Sequence, residues 1–178
     1  MNFAEYNVKD ANLEEVLLAL KSLDTVEAVA LGGSRSTGAS DENSDYDIYV
    51  YCAEIPTAET RENLLGKYCS IAEFGNHYWE SEDNTVMNNG VPVDIIYREV
   101  DRFGRYIDTV IKGGKAFNGY TTAFWHNIKN SKVLFDKTGT FTKFRDMAQI
   151  DFPENLRSAI IKNNRNLSLI HISEPTRP

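Results

Sequence analysis

A pair of aspartates heads an otherwise apolar run: residues 45–52 read Asp-Tyr-Asp-Ile-Tyr-Val-Tyr-Cys. Aromatic and β-branched side chains suit a pleated strand, and Tyr46 to Cys52 is predicted to be one. A strand's period of two puts Asp45 and Asp47 on one face and Tyr46, Ile48 and Val50 on the other. Two carboxylates on one face repel, and in a partly buried site they stay ionised only if cations sit between them. Hard divalent ions such as Mg²⁺ take oxygen ligands and usually bring a phosphate with them.

The segment before this strand supplies a matching half. Val26 to Leu31 is a short apolar run ending at Gly32-Gly33, the pattern of a buried strand entering a tight turn. Two glycines let the backbone turn sharply and approach a ligand closely. Ser34 offers a hydroxyl and an N–H where an anion can bind. Arg35 is positioned to add a bidentate phosphate contact. A third carboxylate, Asp94, interrupts the hydrophobic run Val91 to Tyr97. A lone charge there is expensive unless paired or bound to metal. Were that strand to lie beside the Asp45/Asp47 strand, three carboxylates would converge. Such a set can hold two metals about 3.5–4 Å apart for in-line displacement at phosphorus.

Around these pieces, helices and strands interleave. Leu13, Val16, Leu17, Leu20 and Leu23 form an apolar helical stripe, with Asn12 and Glu15 as a capping box. Ser36 to Ser44 reads as a loop, or a short helical turn and then a loop. Further helices are expected over Thr57–Ser70, Val100–Lys112, Thr121–Lys129 and Thr140–Ile150, and a short strand over Lys132–Phe135. Glu80, Glu82 and Asp83 before Asn88-Asn89-Gly90 suggest a hairpin with a charged face, or less simply a subsite for a cationic acceptor. The expected class is α+β (α/β), with helices packed on a small sheet.

Composition narrows the function. Charged residues make up 25% and hydrophobic ones 42%, the balance of a soluble globular protein. With 19 Lys and Arg against 26 Asp and Glu the net charge is −7, which disfavours binding to a nucleic-acid backbone. No apolar run approaches a membrane span, no signal peptide opens the chain, and two cysteines, Cys52 and Cys69, build no disulfide scaffold. A cytoplasmic protein is expected.

Gly33-Ser34, ten intervening residues, Asp45-Tyr46-Asp47, and a distant Asp94 in a strand together are similar to the nucleotidyltransferase superfamily that includes DNA polymerase beta. The likeness is greatest to its small bacterial and antibiotic-modifying branch, with Leu31, Ile48 and Val50 as the flanking hydrophobics, and covers residues 26 to 98. It implies a mixed sheet with flanking helices, two Mg²⁺ ions, an NTP donor, expected to be ATP, and transfer of a nucleoside monophosphate to a small-molecule or protein acceptor. By this resemblance Asp45 and Asp47 ligate both metals. Asp94 would ligate one and accept the acceptor's proton. Gly33 and Ser34 would bind the triphosphate, with Arg35 beside them. The expected domain covers residues 1–115, and 116–166 begin a truncated, mostly helical region.

Taken singly, each piece has a plainer reading. Gly-Gly-Ser is often a turn, Asp-x-Asp a solvated strand face, and Asp94 the partner of an arginine such as Arg98. His77 and His126 lack partners at metal-ligand spacing and read as surface or packing residues. Phe117, Tyr120, Phe124 and Trp125 read as packing. A nucleic-acid polymerase and a non-catalytic nucleotide-binding module are the competing functions. Residues Leu167 to Arg177 resemble the in-frame translation of a transposase-end adapter used in sequencing libraries. The 167–178 tail is therefore expected to be artefactual, interrupting a helix begun at Asp151-Phe152-Pro153-Glu154.

Overall fold

A computed structural model describes residues 10–38, 44–78, 80–117 and 121–173, with side chains to residue 164. Seven α-helices and six strands are assigned among them. The helices are α1 (Ala11–Lys21), α2 (Gly33–Thr37), α3 (Ala58–Leu65), α4 (Val100–Ile111), α5 (Ala123–Asn130), α6 (Thr140–Ala148) and α7 (Glu154–Ser173). The strands are β1 (Val26–Leu31), β2 (Tyr46–Cys52), β3 (Cys69–Asn76), β4 (Ser81–Met87), β5 (Pro92–Glu99) and β6 (Lys132–Asp136). They form one mixed sheet in the order β3-β4-β5-β2-β1-β6. Only β2 and β5 run parallel; every other neighbouring pair is antiparallel.

Each sheet face carries its own core. Val26, Leu31, Ile48, Val50, Val93 and Ile95 meet Leu13, Val16, Leu17 and Leu20 of α1 on one side. Ala28, Ala30, Tyr49, Tyr51 and Ile96 meet α4, α5 and α6 on the other. The alternation within β2 thus sorts its side chains between two buried layers, and each large apolar side chain taken from water stabilises the fold by about 1.5–3 kcal/mol. Tyr51 and Phe103 pack with ring centroids 5.4 Å apart, and Phe103 meets Phe144 at the same separation. Phe124 and Trp125 are buried and Phe117 stacks on Tyr106, so these aromatics pack as expected. Tyr120 lies outside the described residues.

Three expectations are corrected. The cap of α1 is Asp10, whose carboxylate accepts from the N–H groups of Asn12 and Leu13 at 3.0 and 3.3 Å. Asn12 lies inside the helix instead, because Asp10 fills the capping position first. The helix expected to reach Ser70 stops at Leu65; a 3₁₀ turn at Gly66–Tyr68 leads into β3, which pairs with β4. Asp83, read as part of a charged hairpin face, is fully buried and ion-paired with Arg61 of α3 at 3.4 Å. Its neighbours Glu82 and Asn84 take the opposite face, as the pleat requires.

The segment after residue 115 is integrated with the sheet. β6 pairs along β1, and Trp125 of α5 donates from its indole nitrogen to the Ala148 carbonyl of α6 at 2.8 Å. The helical backbone of α7 continues to Ser173; residues 174–178 of the expected tail, and the side chains of 165–173 including His171, lie outside the described residues. Among the described residues no helix is long and apolar enough to cross a membrane.

Candidate active site

The parallel pairing of β2 with β5 sets Asp47 directly opposite Asp94. Asp45 stands two residues before Asp47 at the mouth of the strand and is exposed, while both others are partly buried. Burial raises the Asp47 carboxyl above its usual range, and the negative charges of Asp45 and Asp94 push it the same way. The negative charges of Asp45 and Asp94 therefore gather about Asp47 at one end of the central β2–β5 pair. Among the described residues, no three acidic, histidine or cysteine side chains stand close enough to hold a metal ion as placed. The donor chemistry nonetheless fits a hard divalent cation, because these are oxygen ligands whose mutual repulsion a cation would relieve.

Asp94 is not spent on Arg98. The Arg98 guanidinium takes Glu80 instead, with Nε and Nη2 each 2.7 Å from a carboxylate oxygen, and lies over the rings of Tyr49 and Phe103. One oxygen of Asp94 accepts from the side-chain amide of Asn84, its neighbour across β4, at 2.9 Å. Asn84 was not singled out from sequence. It sits among acidic residues, and only the β4–β5 register brings it to Asp94.

The glycine turn closes against the same end. The Gly32 N–H donates to the Asp47 carbonyl at 2.8 Å, tying the end of β1 to β2. Gly33 has φ +61°, and a Cβ built on it would overlap Oδ2 of Asp47. A side chain at position 33 would meet both a steric and a conformational penalty. Ser34 follows in α2, partly exposed. Arg35 turns towards the lead-in to β2. Its Nε lies 2.9 and 3.0 Å from the carbonyls of Ser44 and Asp45, Nη2 also bonds the Ser44 carbonyl, and the guanidinium stacks on Tyr46 at 4.0 Å. The loop residues Asp41, Glu42 and Asn43 lie outside the described residues.

Beside the turn is a cavity of about 240 Å³, lined by Gly33, Ser34, Ser36 and Thr37 on one wall and by His126, Asn127, Asn130 and Ser131 on the other. His126, expected to be a surface or packing residue, is exposed and also lines this cavity. His77 is exposed.

A mixed sheet that brings a Gly-Ser turn and a pair of neighbouring carboxylates together at one end of its central strands is the framework of an enzyme that transfers nucleotidyl groups. The Nucleotidyltransferase domain family matches residues 13–117, more than half of the chain, and the chain belongs to that family. Its fold is similar to a toxin–antitoxin crystallised with AMP-PNP, at 14% identity and TM-score 0.48 over 90% of this chain and 98% of that one. A mutant of the MntA–HpeT toxin–antitoxin is similar at 12% identity and TM-score 0.47, over 92% and 100%. The Cid1 poly(U) polymerase is similar at 20% identity and TM-score 0.42, over 72% of this chain and 39% of the polymerase. Among curated proteins no sequence match was found.

Proposed function

We propose that this nucleotidyltransferase moves AMP from ATP to a hydroxyl of a small-molecule or protein acceptor in the cytoplasm, releasing pyrophosphate. The observation that carries the reading is the register of Asp47 opposite Asp94, with Gly33 packed so closely on Asp47 that no side chain fits between them. Asp45, Asp47 and Asp94 are the residues that would hold Mg²⁺, two ions in all. When bound, Mg²⁺ supplies charge neutralisation at the phosphoryl group under attack.

The chain's own groups have the following roles. Gly33 and Ser34 hold the triphosphate through close backbone approach and the Ser34 hydroxyl. Arg35 fixes the carbonyls of Ser44 and Asp45, so it sets where Asp45 enters the site, and it borders the phosphate side. Asn84 orients Asp94 by holding one carboxylate oxygen, leaving the other for the acceptor's proton. The acceptor oxygen bonds to the α-phosphorus as the bond to the α,β-bridging oxygen breaks, and that electron pair leaves with pyrophosphate. An acidic chain of net charge −7 argues for an acceptor other than nucleic acid.

The experiment is a thermal-shift series with ATP, Mg²⁺ and both together, followed by a transfer assay with labelled ATP. Mg²⁺ with ATP should raise the midpoint well above either alone; a hundredfold excess over the dissociation constant stabilises by about 2.7 kcal/mol. A folded sample with no shift and no heat of binding sinks the proposal.

A further inference from the structure

We infer that helix α5 forms the far wall of the donor site and that His126, Asn127 and Asn130 hold the departing pyrophosphate portion of the nucleotide. This rests on the nucleotidyl-transfer reading above and adds residues beyond the matched segment, which ends at residue 117.

The cavity is lined from α2 on one side and α5 on the other, and Gly33, one of its lining residues, packs against Asp47. None of the eight described residues that line it is acidic, although the protein is acidic overall and Asp47 stands against Gly33. A cavity whose described lining is uncharged, next to a carboxylate cluster, separates two jobs: the carboxylates take the cation, and the cavity takes an anion.

The far wall is furnished with N–H donors. Asn127 donates one Nδ2 hydrogen to the Tyr49 hydroxyl at 2.8 Å, and Ser131 donates to the Asn127 carbonyl at 2.5 Å. The first bond ties α5 to β2 two residues past Asp47, and the second closes the C-terminal end of α5. Asn130 donates one Nδ2 hydrogen to the His126 carbonyl at 2.8 Å. Each amide keeps a second hydrogen. The His126 ring makes no hydrogen bond among the described residues, and in either tautomer it has an N–H to give. On the near wall, the Ser36 hydroxyl donates to the Gly33 carbonyl at 2.8 Å and Thr37 to the Ser34 carbonyl at 3.1 Å, while the Ser34 hydroxyl makes no such bond among the described residues. His126 and Asn130 are one helical turn apart, so both present to the same side of α5.

A nucleotide with its α-phosphoryl group at the Asp47–Asp94 pair and its outer phosphates past Gly33 fits this layout. Donors on both walls would receive the charge that builds on the leaving group. Binding of MgATP, magnesium pyrophosphate and adenosine to the full chain, measured by calorimetry, tests it with His126→Glu and Asn130→Asp. Each variant places a carboxylate where phosphate oxygens would lie, and should weaken MgATP and magnesium pyrophosphate by roughly tenfold or more while leaving adenosine unchanged. Unaltered affinity for magnesium pyrophosphate in both variants overturns the inference. So does a loss confined to MgATP, which would put the base or sugar at α5. A folded parent protein that binds none of the three ligands would instead defeat the transfer reading itself, and this inference with it. His126 is exposed, so His126→Glu decides the matter if Asn130→Asp does not fold.

Discussion

Gly33 and Asp47 leave no room for a side chain between them: a methyl group on the glycine would occupy the place of Asp47 Oδ2. Gly33→Ala therefore strains a backbone held at φ +61° and pushes the carboxylate aside. The backbone share should be about 1–2 kcal/mol. Transfer activity should fall by about a hundredfold, the scale of a misplaced catalytic group. Urea unfolding and the labelled-ATP assay on the same preparation measure both, and near-normal activity would contradict the close packing.

Asp47→Asn and Asp94→Asn should reduce transfer by at least roughly a thousandfold, as expected when charge stabilisation of the transition state is lost. In EDTA, Asp47→Asn should leave stability unchanged or raise it by about 0.5 kcal/mol, because one of three mutually repelling carboxylates has gone. Unfolding in EDTA gives the sign. A clearly less stable variant that still transfers nucleotide would mark Asp47 as a structural group.

Asp83 should behave in the opposite way, although it is the same residue type in the same sheet. It is fully buried, ion-paired with Arg61 at 3.4 Å, and accepts from the Gly75 N–H at 2.9 Å. Asp83→Ala leaves a buried guanidinium without its counter-charge and should cost about 3–5 kcal/mol. The readout is the urea midpoint, with Asp47→Asn as the companion. A small loss would mean that water reaches Arg61.

Alkali should weaken the fold in a defined window. Burial pushes the Cys52 thiol from 9.0 up to about 12 and the Tyr49 phenol from 10.0 up to about 12. The folded state then holds protons that the unfolded chain gives up. These groups contribute fully below pH 9, and their contribution drains away as pH rises to about 12. The slope is about 1.4 kcal/mol per pH unit for each such group. Urea midpoints at stepped pH should fall above pH 9, less steeply in Cys52→Val, and a flat profile would place the thiol in contact with water.

The strands that build the site were legible because their side chains obey the pleat. Asp45, Asp47 and Asp94 could be assigned to a shared site from alternation and one assumed pairing, and β2 and β5 do pair. β3 was missed for a physical reason. Ser70, Ile71, Ala72 and Glu73 are all exposed on an edge strand, and bulges break its register with β4, so no period of two survives. Asp83 looked like a surface charge because its partner, Arg61, lies on another element. His126 carried no local signal at all. Its place follows from β6 joining β1, which folds α5 back over the glycine turn.

The parallel pairing of β2 with β5 joins two separately built parts of the sheet. The β1–β2 pair and the β3–β4–β5 meander each join strands that follow one another in the chain, whereas joining β2 to β5 requires a long crossover. Asp47 belongs to the first unit and Asp94 to the second. A chain that has made only those two units holds Asp47 in one and Asp94 in the other, so under the proposed function transfer activity requires the β2–β5 pairing.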